Sequence, residues 1–522
     1  MESFHSTRSA ESHLTSKQAI LKGIADDGGL FVNDSLAGHH IDASALAGKS
    51  YADIARTVLH ALLPDFTGQE LDGCIAGAYG DAFDDPRIAP VHRLAAADGT
   101  HRAHHYILEL FHGPTCAFKD IALQILPRFM AQAAAVAEPA DPSAGKRIMI
   151  LTATSGDTGK AALEGFADCP GTAITVFYPE GKVSDIQRLQ MATQPGGNVR
   201  VCAVRGNFDD VQTAVKHIFT DQPLADRLGT EAHTLLSSAN SINIGRLVPQ
   251  VAYYFSAYAQ LLETNAVAAG IPVDFIVPTG NFGNVLAGYY ARLMGLPVGK
   301  LVVASDRNNV LYDFLTTGIY NRNREFYATS SPSMDILVSS NLERMLYYVS
   351  GGDTALICRL MDDRDRTGSF SISPSLLAEI RKVFSCGWAD ENDVTSAIAS
   401  CWESYRYVID PHTACGYHVM MQSQGNSPER PQILLSTASP YKFPRTVLNA
   451  LDSIRGSVPG EAGALAAPGK NGLSDFQYMD ILSSVSGTVP PAQLRSLDSA
   501  PVRFNDTVDI ADMAGYVEQA AG

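Results

Sequence analysis

The chain has 522 residues, 46% of them hydrophobic, which is enough to bury large cores and predicts two or three domains. Its 39 lysines and arginines face 55 aspartates and glutamates, giving a formal charge of −16 and a pI near 5.3. No basic field exists to attract nucleic acid or an anionic membrane, so an anionic substrate must be held by donors gathered locally.

No apolar stretch reaches the roughly 18 residues that span a bilayer. The N-terminus, MESFHSTRSAES, carries two acids and no apolar h-region, which argues against a secretory or transit signal and leads us to expect a cytoplasmic protein. The eight cysteines lack CxxC pairs and metal-like spacing, and read as reduced, mostly buried thiols with no metal site.

Residues 1–100 read as mainly helical, opening with a capping box in which Thr15 starts a helix, Gln18 reaches back and Gly23 closes it. From Tyr106 to Leu311 strand and helix signals alternate: RIMILTA before KAALEGFAD, AITVFYP before VSDIQRLQMA, VRVCAVRG before DDVQTAVKHIF, DFIVPTG before NVLAGYYARLM, then KLVVAS. That alternation predicts an α/β protein of two lobes built on parallel sheets with flanking helices. Pro/Gly/Ser-rich connections are expected at 138–146, 425–432 and 457–472. The expected division is a helical N-terminal region (1–100), a two-lobed catalytic core (101–450) and a C-terminal extension packing on the core (451–522).

Two segments carry chemistry. In ELFHGPTCAFKDIALQ a single lysine, Lys119, stands between Phe118 and Asp120 at the start of an apolar-periodic helix. Held against the ring and partly desolvated, such an amine can lose its proton near neutrality and become a nucleophile; the competing reading is a solvated lysine in a first helical turn. Cys116, three residues earlier, fits a small apolar filler better than a nucleophile. In the second segment, a β-rich run leads into Thr279-Gly280-Asn281-Phe282-Gly283-Asn284 and then a helix. This turn aims free N–H groups and a helix dipole at one point, where a phosphate can sit, although a tight turn without a ligand has the same spacing. A reactive lysine and a phosphate cup together suggest pyridoxal 5'-phosphate, whose aldehyde and phosphate need those two partners. A third loop, Thr154-Ser155-Gly156-Asp157-Thr158-Gly159, precedes a helix and can receive a substrate carboxylate through hydroxyls and N–H groups. Asp157 would repel that carboxylate, so it is expected to cap the helix or order the loop.

The chain resembles the threonine synthase family, pyridoxal-phosphate enzymes of fold type II (tryptophan synthase β-like), in its longer microbial and fungal form. The resemblance spans nearly the whole chain through STR (6–8), KGIADDGGLFV (22–32), FHGPTCAFKD (111–120), TATSGDTGKAA (152–162), PEGKVSDIQRLQM (179–191), NSINIGRL (240–247), PTGNFGN (278–284), SPSMDILVSSNLER (331–344), DPHTACG (410–416) and STASPYKFP (436–444). It implies that Lys119 anchors the cofactor and later moves protons. It further implies that Gly280, Asn281, Phe282 and Gly283 hold the cofactor phosphate, with Phe118 and Asn284 beside them, and that Thr437 offers a hydroxyl to the pyridine nitrogen.

The resemblance also implies O-phospho-L-homoserine as the small-molecule substrate, converted with water to L-threonine and phosphate by a monomer or homodimer. Asn240 and Arg246 join the TSGDTG loop as substrate-binding candidates, with Lys182, Arg188, Lys442 and Arg8 as further cations for the substrate phosphate. His412 is expected to be a hydrogen-bonded structural histidine. Two other readings stay open: a phospho-lyase or serine/threonine dehydratase acting by β-elimination, and a non-catalytic phosphate-binding protein.

Overall fold

The computed structural model describes residues 3–11, 13–95, 104–135, 145–154, 156–422, 430–455 and 472–522. Its framework is eleven strands: β1 (Val91–Arg93), β2 (His105–Glu109), β3 (Arg147–Ala153), β4 (Thr172–Pro179), β5 (Val199–Arg205), β6 (Thr234–Ser237), β7 (Val273–Pro278), β8 (Val298–Ser305), β9 (Phe384–Trp388), β10 (Gln432–Ser436) and β11 (Asp506–Asp509). One sheet has the order β9-β8-β7-β10-β2-β1, parallel except for β1. The other has the order β11-β5-β4-β3-β6 and is parallel throughout. The expected α/β alternation is therefore present, and the fold is two parallel sheets flanked by helices.

The inner strands are near-continuous apolar runs because helices cover both faces. Ile107, Leu108, Ile276, Val277, Leu434 and Leu435 are all completely covered, each side chain contributing about 1.5–3 kcal/mol through burial. The helices that frame the site are α1 (Ser16–Lys22), α2 (Lys119–Leu123), α3 (Asp157–Phe166), α4 (Ile244–Leu247), α5 (Pro249–Glu263), α6 (Gly283–Leu293), α7 (Leu342–Val349) and α8 (Pro411–Gln422). Capping at α1 is as expected: Thr15 and Gln18 form the reciprocal box, and Gly23 closes the helix at φ 74°.

The N-terminal region departs from the helical expectation in two places. His5–Ser6 pairs antiparallel with Phe31–Val32, and β1 extends the larger sheet. The two-residue strands are too short to show a period in sequence, and their register is set by docking. Thr7 Oγ1 donates to Glu343 at 2.7 Å, Arg8 grips the same carboxylate, and Arg344 donates to the Phe31 carbonyl at 2.9 Å. At the other end, β11 is an edge strand of the second sheet, so both sheets recruit strands from outside the 101–450 span expected for the core. The stretches 138–144, 425–429 and 457–471, within the expected connections, lie outside the described residues, and Gln432 already belongs to β10. Among the described residues no helix is long and apolar enough to cross a membrane, and no group of three or more His, Cys, Asp or Glu could hold a metal.

Candidate active site

Ligands of open parallel sheets bind beyond the carboxyl ends of the strands, and the neighbours β7, β10 and β2 each end in one of the motifs. β2 leads into the segment that carries Lys119. β10 runs into Thr437, and β7 into Gly280–Asn284. The lysine segment is tied to the β10 end by main-chain bonds from Phe118 N–H to the Thr437 carbonyl (2.9 Å) and from Ser439 N–H to the Cys116 carbonyl (3.0 Å). Asp120 orders the same loop, accepting from Thr115 N–H at 2.8 Å and Thr115 Oγ1 at 2.7 Å, while burial pushes its carboxyl up to about 6. The second sheet contributes the ends of β3 and β6, which lead to Thr158 and to Asn240, Ser241 and Arg246.

These ends surround a cleft lined by Phe118, Lys119, Thr158, Asn240, Ser241, Arg246, Gln250, Gly280, Asn281, Gly283, Asn284, Ser333, Met334, His412 and Thr437, among others. Lys119 is 7% exposed, with its ammonium 4.8 Å from the centre of the Phe118 ring. Burial pulls its pKa down to about 8; Asp157 opposes the shift, whereas Arg246 and Lys442 add to it. Its Nζ donates to Ser333 Oγ at 3.1 Å and lies 3.9 Å from Asp157 Oδ2.

The glycine cup has the backbone an anion needs. Phe282 sits in the left-handed region at φ 63°, directly before α6, so the N-terminus of an eleven-residue helix opens toward the cleft. Gly280 is required by close approach, since a Cβ there would come within 2.9 Å of the Ser333 carbonyl. Asn284 braces the turn, donating to the Pro278 carbonyl at 2.8 Å and accepting from Val285 N–H at 2.9 Å. The Phe282 side chain turns away and packs on Phe384, so only its main chain belongs to the cup.

Arg246 is 6% exposed, donates to the Ala239 carbonyl at 2.9 Å, and pairs with no carboxylate among the described residues. Burial lowers its pKa to about 10. The other cations are committed or distant. Lys442 is fully buried and bonds Asp157 Oδ1 at 2.7 Å and the Thr115 carbonyl at 3.0 Å. Arg8 holds Glu343, Arg188 lies 3.6 Å from Asp185, and Lys182 is exposed.

The TSGDTG loop differs most from expectation. Thr154 Oγ1 accepts from Gly156 N–H at 3.0 Å and Gly159 N–H at 2.9 Å and donates to the Gly156 carbonyl, so its hydroxyl serves the loop rather than the cleft. Gly156 adopts φ 144°, a conformation L side chains rarely take. Asp157 does not cap α3; it accepts from Lys442, Gln187 (3.1 Å) and Ser333 (3.2 Å). Burial alone would raise its pKa, but Lys442 and Lys119 hold the carboxyl well below its usual range. Ser155 lies outside the described residues.

His412 has both ring nitrogens engaged, Nδ1 with Asp410 at 2.7 Å and Nε2 with Ser333 N–H at 3.1 Å, as a structural histidine would. Cys116 is completely buried, and burial pushes its thiol up, which suits a filler. Ser241, Gln250, Ser333 and Met334 were not anticipated. Ser333 and Met334 stand inside the SPSMDI run and Ser241 inside NSINIGRL, and those runs are the signals that could have found them.

A buried amine of lowered pKa, a flat Phe118 face, the Thr437 position and a glycine cup at a helix N-terminus fit the aldehyde, ring and phosphate of pyridoxal phosphate. Residues 83–363 match the family described as pyridoxal-phosphate dependent enzyme, and the chain belongs to that class. Residues 3–79 match "Threonine synthase N terminus" and 413–470 match "Threonine synthase, C-terminal". Within the class it belongs to the threonine synthase family. It is 37% identical over 450 residues to threonine synthase of Pseudomonas aeruginosa, covering 85% of this chain and 89% of that one. It is 39% identical to human threonine synthase-like 1 over 86% of its length, and the alignment spans 61% of that relative. Among solved structures it resembles PLP-bound threonine synthase from Brucella melitensis, with a TM-score of 0.83 and 34% identity over the full length of both.

Proposed function

We propose that the protein is a cytoplasmic threonine synthase, a monomer or homodimer that converts O-phospho-L-homoserine and water to L-threonine and phosphate. The observation that carries this reading is one cleft holding a buried amine of pKa about 8 and, facing it, a buried guanidinium with no carboxylate partner among the described residues. The first is suited to moving protons, the second to a phosphate.

Lys119, Phe118, Thr437 and Gly280–Asn284 hold pyridoxal phosphate, which when bound supplies a covalent tether for an amino acid and an electron sink for its α carbon. Lys119, freed as a neutral amine, takes the substrate α proton and, once that proton is relayed onward, a β proton, and the γ carbon–oxygen bond breaks with its electrons leaving on phosphate. Lys119 then returns a proton to the γ carbon, water adds its oxygen at the β carbon and gives up a proton to the departed phosphate, and the α carbon is reprotonated. Arg246 holds the substrate phosphate, its charge unpaired with any carboxylate among the described residues. Thr158 and Asn240 receive the amino-acid end. Thr154, Ser155, Gly156 and Asp157 shape that loop around it.

Incubating the purified protein with O-phosphohomoserine and measuring threonine, phosphate and 2-oxobutyrate together tests the assignment. Equal threonine and phosphate are expected. If 2-oxobutyrate and phosphate form without threonine, a phospho-lyase that eliminates without adding water replaces this reading, and release of 2-oxobutyrate from O-phosphothreonine instead marks β-elimination; if no product forms and no cofactor absorbance is seen, the non-catalytic reading stands.

A further inference from the structure

Lys119 must present a lone pair to its substrate whenever it takes a proton, yet an amine on a four-carbon chain rotates freely unless something fixes it. Among the described residues Ser333 is the group that hydrogen-bonds it, and the hydrogen bonds around that hydroxyl have one possible direction. Ser333 Oγ lies 3.2 Å from Asp157 Oδ2, and an ionised carboxylate can only accept. The single hydroxyl proton is therefore committed to Asp157. What remains on Ser333 is lone pairs, so toward Lys119, at 3.1 Å, it can only accept.

Both ends of this chain are anchored. Asp157 is kept anionic by Lys442 and steadied by Gln187. Ser333 is anchored by its backbone N–H, which donates to His412 Nε2. The His412 Nδ1–H is held by Asp410 Oδ2, which also accepts the His412 backbone N–H at 2.9 Å. That pairing leaves Nε2 as an acceptor. None of these groups needs to change protonation state.

We infer that Ser333 is a positioning residue for Lys119: by accepting one amine N–H and being unable to donate, it turns the lone pair of the neutral lysine into the cleft, and His412 with Asp410 holds Ser333 in place. The inference rests on the reading of Lys119 as cofactor anchor and base. It assigns a role to the SPSMDI run and gives His412 a purpose beyond satisfying its own nitrogens.

The test uses the full chain, freed of cofactor and reloaded. The rate of cofactor capture, followed by the absorbance of the lysine-bound form, is measured against pH for the wild type, Ser333→Ala and Ser333→Thr, alongside kcat, KM and melting temperature. Capture by the wild type should be half-maximal near pH 8. Ser333→Ala removes an acceptor from the ammonium, so its midpoint should fall by about one pH unit. Its kcat should drop at least about tenfold with KM little changed, as expected when geometry rather than binding is lost. Ser333→Thr should restore both. An unshifted midpoint and kcat in a folded Ser333→Ala protein would overturn the inference while leaving the Lys119 assignment intact. Failure of the wild type to capture cofactor, or capture by Lys119→Ala, overturns the assignment itself. Should the alanine variant not fold, Ser333→Cys, whose thiol is a weak acceptor, is read by the same two measures.

Discussion

A guanidinium taken out of water without a carboxylate beside it is a standing cost that a bound anion can offset. Arg246 is such a group, and its removal should separate binding from stability. Arg246→Ala should lower kcat/KM for a phosphorylated substrate by about 100-fold or more, the scale of a lost charge-assisted pair. Thermal unfolding of the cofactor-free protein should show no loss of stability. Lys442 behaves oppositely, because its partner Asp157 is buried and ionised. Lys442→Met leaves that carboxylate with only the more distant Lys119 ammonium, 3.9 Å away, and should destabilise the fold by about 3–5 kcal/mol, measurable by denaturant titration. Lys119→Arg keeps a cation but loses the nucleophilic amine, so both turnover and the bound-cofactor absorbance should vanish while the melting temperature holds.

At the level of elements, the loop between β2 and α2 is clamped from outside by His112, whose Nδ1 meets Asp84 at 2.5 Å and whose Nε2 meets Glu109 at 2.8 Å. Burial works against its charge, but the two carboxylates prevail and raise its pKa to about 9. A histidine whose folded pKa is raised gives stability that is complete below the unfolded value near 6.5 and is lost as pH rises through about 9. The melting temperature should therefore decline across that window, and His112→Asn should flatten the decline; an equal slope in both proteins would show that the clamp is not the cause. This loop also marks what sequence could reveal. Lys119 and the GNFGN turn were legible because each packs its chemistry into consecutive residues flanked by clear periodicity. Ser333 was not, since it reaches the lysine from a segment without periodicity, and only the fold brings it to Asp157. Phe282 and Thr154 show a finer limit. A motif names the residue, but whether its side chain or its main chain faces the ligand depends on backbone angles, left-handed in one case and a self-bonded loop in the other.

Across the whole molecule, the cleft gathers positive charge within a chain of net charge −16. A dianionic substrate is repelled at a distance and attracted only on arrival, so kcat/KM should rise between about 0.02 and 0.3 M salt as the screening length falls from roughly 20 to 6 Å. A fall with added salt would indicate a steering field not apparent in the charge balance. The strand order has a temporal consequence as well. β2 is made early, yet the neighbour on its inner edge is β10, and the Thr115 carbonyl waits 327 residues for Lys442. During synthesis an apolar strand with one open edge must persist while most of the polypeptide is still being added, which is the condition under which chains pair wrongly with one another. The lysine segment thus reaches its final form late, and a nascent chain that stops short of Lys442 should capture no cofactor, however much of the rest has folded.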